Sequence, residues 1–103
     1  MEECLFCNIV NKKIPADFVY QDSEVVVFPD INPKSRVHLL VVPTLHVKSF
    51  LDLQDEQFVV LTKLAKVIQS LVKDKKLENG YQLVFNGGHY QHVPHLHWHI
   101  LGD

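Results

Sequence analysis

Residues 92–103 read HVPHLHWHILGD, and within them His95, His97 and His99 alternate strictly with Leu96, Trp98 and Ile100. A period of two is the mark of a β-strand, whose successive side chains point to opposite faces. On this reading one face is apolar and joins the core, while the other carries three imidazoles and belongs to a site. A half-buried strand needs only polar residues on its outer face, which Thr, Lys or Glu would supply equally well. Three histidines there point to chemistry. Two kinds fit: a His₃ zinc site with an open position for water, or metal-free nucleophilic and acid–base work by imidazole near neutral pH. Spacing alone does not choose between them.

Working outward, Phe18 to Tyr20 and Glu24 to Phe28 flank a Gln21-Asp22-Ser23 turn and predict a β-hairpin. Pro29-Asp30-Ile31-Asn32-Pro33 breaks the sheet, and a β-branched run from Val37 to Val42 ends at Pro43. From Asp52 the period becomes helical. Asp52 is the expected cap, Asp55 and Glu56 suit the first turn, and Leu61, Leu64, Ala65, Ile68, Leu71 and Val72 form the stripe. Lys73, Lys75 and Lys76 suit the helix end, with Asn79-Gly80 as the stop signal. Extended runs are expected over Tyr81 to Asn86 and His95 to Leu101, with a polar loop containing Gly87 and Gly88 between them. CLFCNIVNKKIP, residues 4–15, reads as a short helix that ends before Pro15. The expected fold is therefore a single α+β domain over residues 1–103, with a mainly antiparallel five-stranded sheet, one long helix and one short helix.

Composition narrows the function classes. With 47% hydrophobic residues, 21% charged and a net charge of −2, the chain has the balance of an ordinary globular domain. That balance predicts neither nucleic-acid nor membrane-surface binding. Apolar runs such as Val25 to Phe28 fall far short of the roughly 20 residues a membrane helix needs. Glu2 and Glu3 stand where a signal peptide would be basic, so a cytoplasmic location is the expectation. The two cysteines, Cys4 and Cys7, form a C-x-x-C that reads as a redox pair, half a metal site or two buried thiols. No strand precedes them, which disfavours the redox reading.

His95-Leu96-His97-Trp98-His99-Ile100-Leu101 resembles the H-φ-H-φ-H-φ-φ signature of the histidine triad superfamily of nucleotide hydrolases and transferases. The stretch LFCNIVNKKIPADFVYQDSEVVVFPDINPKSRVHLLVVPTLHV, residues 5–47, resembles the N-terminal half of its Hint branch, through the I-P after a basic pair, the Y-x-D-x-E-V entry, the D-I-x-P loop and H-x-L-V-x-P-x-x-H. Nearly the whole chain is covered. ILGD at the end also looks more like the Hint ending than that of the dinucleoside polyphosphate hydrolases.

The resemblance implies a hydrolase of purine nucleoside 5′-phosphoramidates that releases AMP, with His97 as nucleophile and His95 and His99 orienting it and handling protons. It implies a nucleotide site of Leu5, Phe6, Pro29 and Ile31 around the base, Asp30 on the ribose, and Asn86, Gln91 and His92 near the phosphate. Alone, the apolar four would read as core, and Asp30 as a turn residue. His38 reads as a satisfied structural histidine. Some relatives bind a structural zinc through residues matching Cys4, Cys7, His46 and His95, so a closed Cys₂His₂ site is expected, and none is required for catalysis. A homodimer that pairs long helices and adjacent strands is also implied. There are departures. His92 stands where Ser or Thr is common and Tyr90 where Gly is common, the loop NGGHYQHVPH (residues 86–95) is short, and the chain stops at Asp103 where several relatives extend. Two competing expectations stand beside this one: a non-catalytic nucleotide-binding or interaction module that has lost turnover through His92 and the short loop, and a metal-dependent hydrolase using the triad as ligands.

Overall fold

The computed structural model describes residues 4–103, and in it every strand pairing is antiparallel. In chain order the elements are α1 (Leu5–Val10), β1 (Tyr20–Gln21), β2 (Val25–Pro29), β3 (Val37–Pro43), two 3₁₀ turns (Phe50–Asp52 and Asp55–Gln57), α2 (Val59–Asp74), β4 (Tyr81–Val84), a 3₁₀ turn (Gly88–Tyr90) and β5 (Trp98–Gly102). The sheet order is β1-β2-β3-β5-β4. The expected α+β architecture with five strands, one long helix and one short helix is the observed one.

β2 and β3 are apolar at nearly every position because the sheet is covered on both faces. Val25, Val27, Leu39, Val41 and Ile100 pack against Leu64, Val67, Ile68, Leu71 and Val72 of α2. Val26, Phe28, Leu40 and Val42, the alternate set, pack against Phe6 and Ile9 of α1. α1 is too short to shield this second face completely, and a groove remains beside it. Asp22 closes the β1–β2 hairpin as the sequence predicts: its Oδ1 accepts from the backbone N–H groups of Glu24 and Val25 at 2.7 and 2.8 Å.

Several boundaries differ from expectation. α2 starts at Val59, not after a cap at Asp52; Asp52 instead accepts from the Ser49 hydroxyl at 2.7 Å. Asp55 and Glu56 lie in a 3₁₀ turn closed by a Gln54–Gln57 capping box. Two tight turns are needed here because Leu53 must reach Val47 and Leu96 in a third small core before the helix begins. The helix ends at Asp74, with Lys76 in the left-handed region (φ 59°) and Leu77 N–H reaching back to Val72 O at 2.9 Å, so the stop comes before Asn79-Gly80. β4 ends at Val84, short of Asn86. β5 begins at Trp98, so His95, Leu96 and His97 precede the hydrogen-bonded ladder.

Candidate active site and metal centre

Although residues 95–97 lie outside the ladder, the alternation persists through them. Leu96 joins Val47 and Leu53, and Ile100 joins the α2 core with Trp98 against it, so the apolar side chains face α2 as expected. The histidines turn the other way, toward α1. What holds this segment is a short list of bonds: Leu96 N–H to Val47 O at 2.7 Å, His95 N–H to Val93 O at 2.8 Å, and the His95 ring.

Each triad ring has its own partners, and these assign its tautomer. His97 Nδ1 lies 2.8 Å from the His95 carbonyl, which can only accept, so Nδ1 carries the proton and Nε2 keeps the lone pair. Phe6 packs edge-on to this ring, with centroids 4.9 Å apart. Burial holds His97 below the usual imidazole range, so the ring is neutral at pH 7. His99 is set by a chain of bonds. The Lys34 backbone N–H donates to His38 Nδ1 at 3.0 Å, which leaves the His38 proton on Nε2. That atom lies 2.8 Å from His99 Nδ1 and 3.5 Å from Asp30 Oδ2. His99 Nδ1 therefore accepts, and its proton sits on Nε2. Burial, followed by the neighbouring His97 and His38, pushes His99 down to about 4. His38, read from sequence as structural, is indeed satisfied, and it also orients a triad member. The signal available was parity, since His38 shares a face of β3 with Leu40, the register partner of His99.

His95 differs. It is fully buried, its Nε2 donates to Pro43 O at 2.8 Å, and its Nδ1 faces Cys4 Sγ at 3.3 Å, Cys7 Sγ at 3.5 Å and His46 Nδ1 at 3.1 Å. Cys7 Sγ lies 3.2 Å from His46 Nδ1, and all four ligand atoms fall within 4.8 Å of one another. A tetrahedron with zinc–sulfur bonds of about 2.3 Å and zinc–nitrogen bonds of about 2.0–2.1 Å has edges of about 3.3–3.8 Å, so the four atoms fit one ion. The second nitrogen of His95 donates to a carbonyl, as metal-held imidazoles do. Burial pushes the Cys7 thiol up to about 11, so an ion there would have to displace its proton. Asp30, His38 and His99 form a second compact cluster. There the free nitrogen of His38 meets a donor, the opposite of what a ligand needs, and the cluster is a hydrogen-bond chain.

His97 and His99 open onto a groove of about 1070 Å³ between α1, the β2–β3 connection and the loop before β5. Leu5, Phe6, Pro29, Asp30, Ile31, Asn86 and His92 all line it. Phe6 is its buried floor and also belongs to the core, whereas Ile31 at 91% exposure stands at the rim. Gln91 is not among the lining residues. Its amide nitrogen donates to Lys48 O at 2.7 Å and Val93 O at 3.0 Å, which ties the loop before the triad to the chain after β3. His95 presents no ring nitrogen to the groove.

The family model described as "Scavenger mRNA decapping enzyme C-term binding" matches residues 3–103. Among curated proteins, Protein HitA of Neisseria gonorrhoeae is 39% identical over 104 residues, covering 99% of this chain and 97% of that one. The purine nucleoside phosphoramidase of Escherichia coli K12 is 34% identical, covering 98% of this chain and 87% of its own. Among solved structures, a HIT family hydrolase from Clostridium thermocellum superposes with a TM-score of 0.94 at 33% identity, covering 100% of this chain and 92% of that one. A histidine triad protein from Clostridium difficile gives 0.93 at 38% identity, covering 100% and 94%.

Proposed function

We propose that this chain, which belongs to the histidine triad superfamily, hydrolyses purine nucleoside 5′-phosphoramidates through a nucleotidyl intermediate on His97. The observation that carries the reading is the His97 ring. Its Nδ1–H is committed to the His95 carbonyl, which leaves Nε2 as a neutral, unprotonated nitrogen on a residue that lines the groove. The 34% identity to a purine nucleoside phosphoramidase supports the substrate class.

In this reading Nε2 of His97 attacks the α-phosphorus and the phosphorus–nitrogen bond breaks. The amine leaves with a proton drawn from solvent. The resulting positive charge on the His97 ring is stabilised at Nδ1–H by the His95 carbonyl. Water then attacks phosphorus and gives up a proton to solvent, the phosphorus–Nε2 bond breaks, the His97 ring returns to its neutral form, and AMP departs. His99 holds Nε2–H at the groove, fixed there by His38, and supplies the hydrogen bond to the phosphoryl group or departing nitrogen. Leu5 and Phe6 offer an apolar face for the base, and Asp30 an acceptor for ribose hydroxyls. His92 offers the phosphate a ring N–H where Ser or Thr is common.

Cys4, Cys7, His46 and His95 hold zinc in this proposal, and zinc there supplies charge to keep both thiols deprotonated and ties α1 to the segment before β5. A second copy of the chain covers β4, an edge strand with Tyr81 and Leu83 half exposed. Beside it Leu61 and Trp98 line a hollow of about 450 Å³, and the buried Trp98 Nε1–H has no acceptor among the described residues.

The test is AMP release from adenosine 5′-phosphoramidate by the native protein and His97→Asn, each with and without chelator. The expected result is release that vanishes in the variant and persists, at a reduced rate, after chelation. Release abolished by chelation and restored by zinc, with no histidine-linked nucleotide, would establish a metal-dependent hydrolase instead. Tight AMP binding without any release would establish a binding module.

A further inference from the structure

The nucleophile sits where the sheet does not hold it. β5 enters the ladder at Trp98, so His97 and His95 lack the cross-strand pairing that fixes Trp98 to Gly102 against β3 and His99 to Gly102 against β4. A reacting nitrogen nevertheless has to be held to within about 0.5 Å of its productive position. Three anchors reach this segment from outside the ladder. Leu96 N–H bonds Val47 O, the His95 ring bonds Pro43 O, and the same ring enters the Cys4–Cys7–His46 cluster. The His95 carbonyl, in turn, fixes the tautomer of His97. One residue thus has its ring in the cluster and its backbone on the nucleophile.

α1 closes a second path between the same two places. Cys4 is its N-cap residue, and its Sγ accepts the Cys7 backbone N–H at 3.3 Å, so one of the two thiols that face His95 also caps the helix, on the backbone of the residue that carries the other. Phe6, between them, packs edge-on to both His95 and His97, with centroids 5.9 and 4.9 Å apart. Leu5, Phe6 and Ile9 of this helix are groove wall. The helix has only six residues, too few to be stable in isolation, and the Cys4 thiol pins its first turn.

We propose that the Cys4–Cys7–His46–His95 cluster, when it holds zinc, positions the nucleophile and the nucleotide wall together: zinc occupancy locks the His97 tautomer through the His95 carbonyl and locks α1 against the groove. His95 is then a positioning residue, and zinc content regulates the site without entering the chemistry. This rests on the reading of the groove as a nucleotide site, but half of its test does not.

The experiment uses the full chain stripped of metal and reloaded with zinc, with cobalt as a loading probe because its absorption reports a tetrahedral thiolate–imidazole site. Two quantities are read. Imidazole ¹⁵N–¹H correlations report the His97 tautomer without any nucleotide, and calorimetry reports AMP affinity. Loaded protein should show one tautomer, protonated at Nδ1. Stripped protein that remains folded by circular dichroism should show mixed tautomers and bind AMP about tenfold more weakly, the scale of losing an outer-shell partner. His46→Asn removes an exposed ligand and should move both readouts the same way, so the inference is tested even if the stripped protein unfolds. Unchanged tautomer and unchanged affinity in stripped protein or in His46→Asn would overturn it, as would failure to take up cobalt. Loaded protein that shows the single tautomer but binds no AMP would count against the hydrolase reading and leave the coupling standing.

Discussion

His95 and His99 stand four residues apart on one segment and point toward the same side of the sheet, yet their surroundings are opposites. The ring of His95 meets two thiols and an imidazole at one nitrogen and a carbonyl at the other. That of His99 meets the N–H of His38 at one nitrogen and opens to the groove at the other. His95 precedes the ladder and is held by its side chain, while His99 lies inside it, paired with Leu40 on β3 and Val84 on β4. Spacing makes the two look equivalent; the partner of the second nitrogen separates them. An acceptor there suits a metal ligand, and a donor arriving through a neighbouring ring suits a group that handles protons.

The largest expected effect falls between them. His97→Asn removes the lone pair that the two ends are arranged to present, and AMP release should drop by about 10⁴-fold or more, with stability little changed. A variant that retains substantial release would mean that the reacting nitrogen belongs to another ring, and the contrast between the ends would lose its point. Next comes the ladder end. Ile100→Ala empties a fully buried position between β3, β4 and α2 and should cost about 2–5 kcal/mol by denaturant unfolding. Its cobalt spectrum should not change, because the cluster is anchored from the other end. A third substitution addresses the donor chain. His38→Asn removes the N–H that sets the His99 tautomer and should lower kcat by about 100-fold while metal uptake stays native. If metal uptake falls with kcat, the two ends are one unit and the division drawn above is wrong.

How much of this was legible in the sequence follows from what each residue depends on. The sheet was, because alternation in HLHWHIL and the apolar runs of β2 and β3 are consequences of burial that any partner would impose. So were the groove residues Leu5, Phe6, Asp30 and Ile31, though through resemblance and not through pattern, since Phe6 serves core and groove at once. The start of α2 was not: Asp52 has the chemistry of a cap, but the need to bury Leu53 outweighs it. Gln91 keeps the expected residue type and spends its amide on Lys48 and Val93, a choice decided by where two loops meet. The division of labour among the three histidines was implied by the resemblance, but pattern and spacing alone could not supply it, for the same reason. It is written in contacts with Pro43, His38 and Cys4, each more than 50 positions away along the chain.

The finest way to sharpen the contrast is the pH dependence of stability. Burial, then the rings of His97 and His38, push His99 down to about 4, with Asp30 pulling the other way and His92 adding a small push in the same direction. In an unfolded chain the same ring titrates near 6.5. Between those values the unfolded state binds more protons than the folded one, so stability rises with pH across the window. The contribution of a neutral His99 is complete above about pH 6.5 and is lost as pH falls toward 4. His99→Gln cannot titrate and should flatten part of that slope. The measurement is the melting temperature of native protein and variant in half-unit steps from pH 4 to pH 7, at one fixed metal state, so that the cluster at the other end contributes equally to both. Curves that converge at pH 4 and separate toward pH 7 would place the titration at the groove end of the triad. Parallel curves would show that the acid slope arises elsewhere, and would remove the half-buried, neutral His99 on which its role as a fixed donor depends.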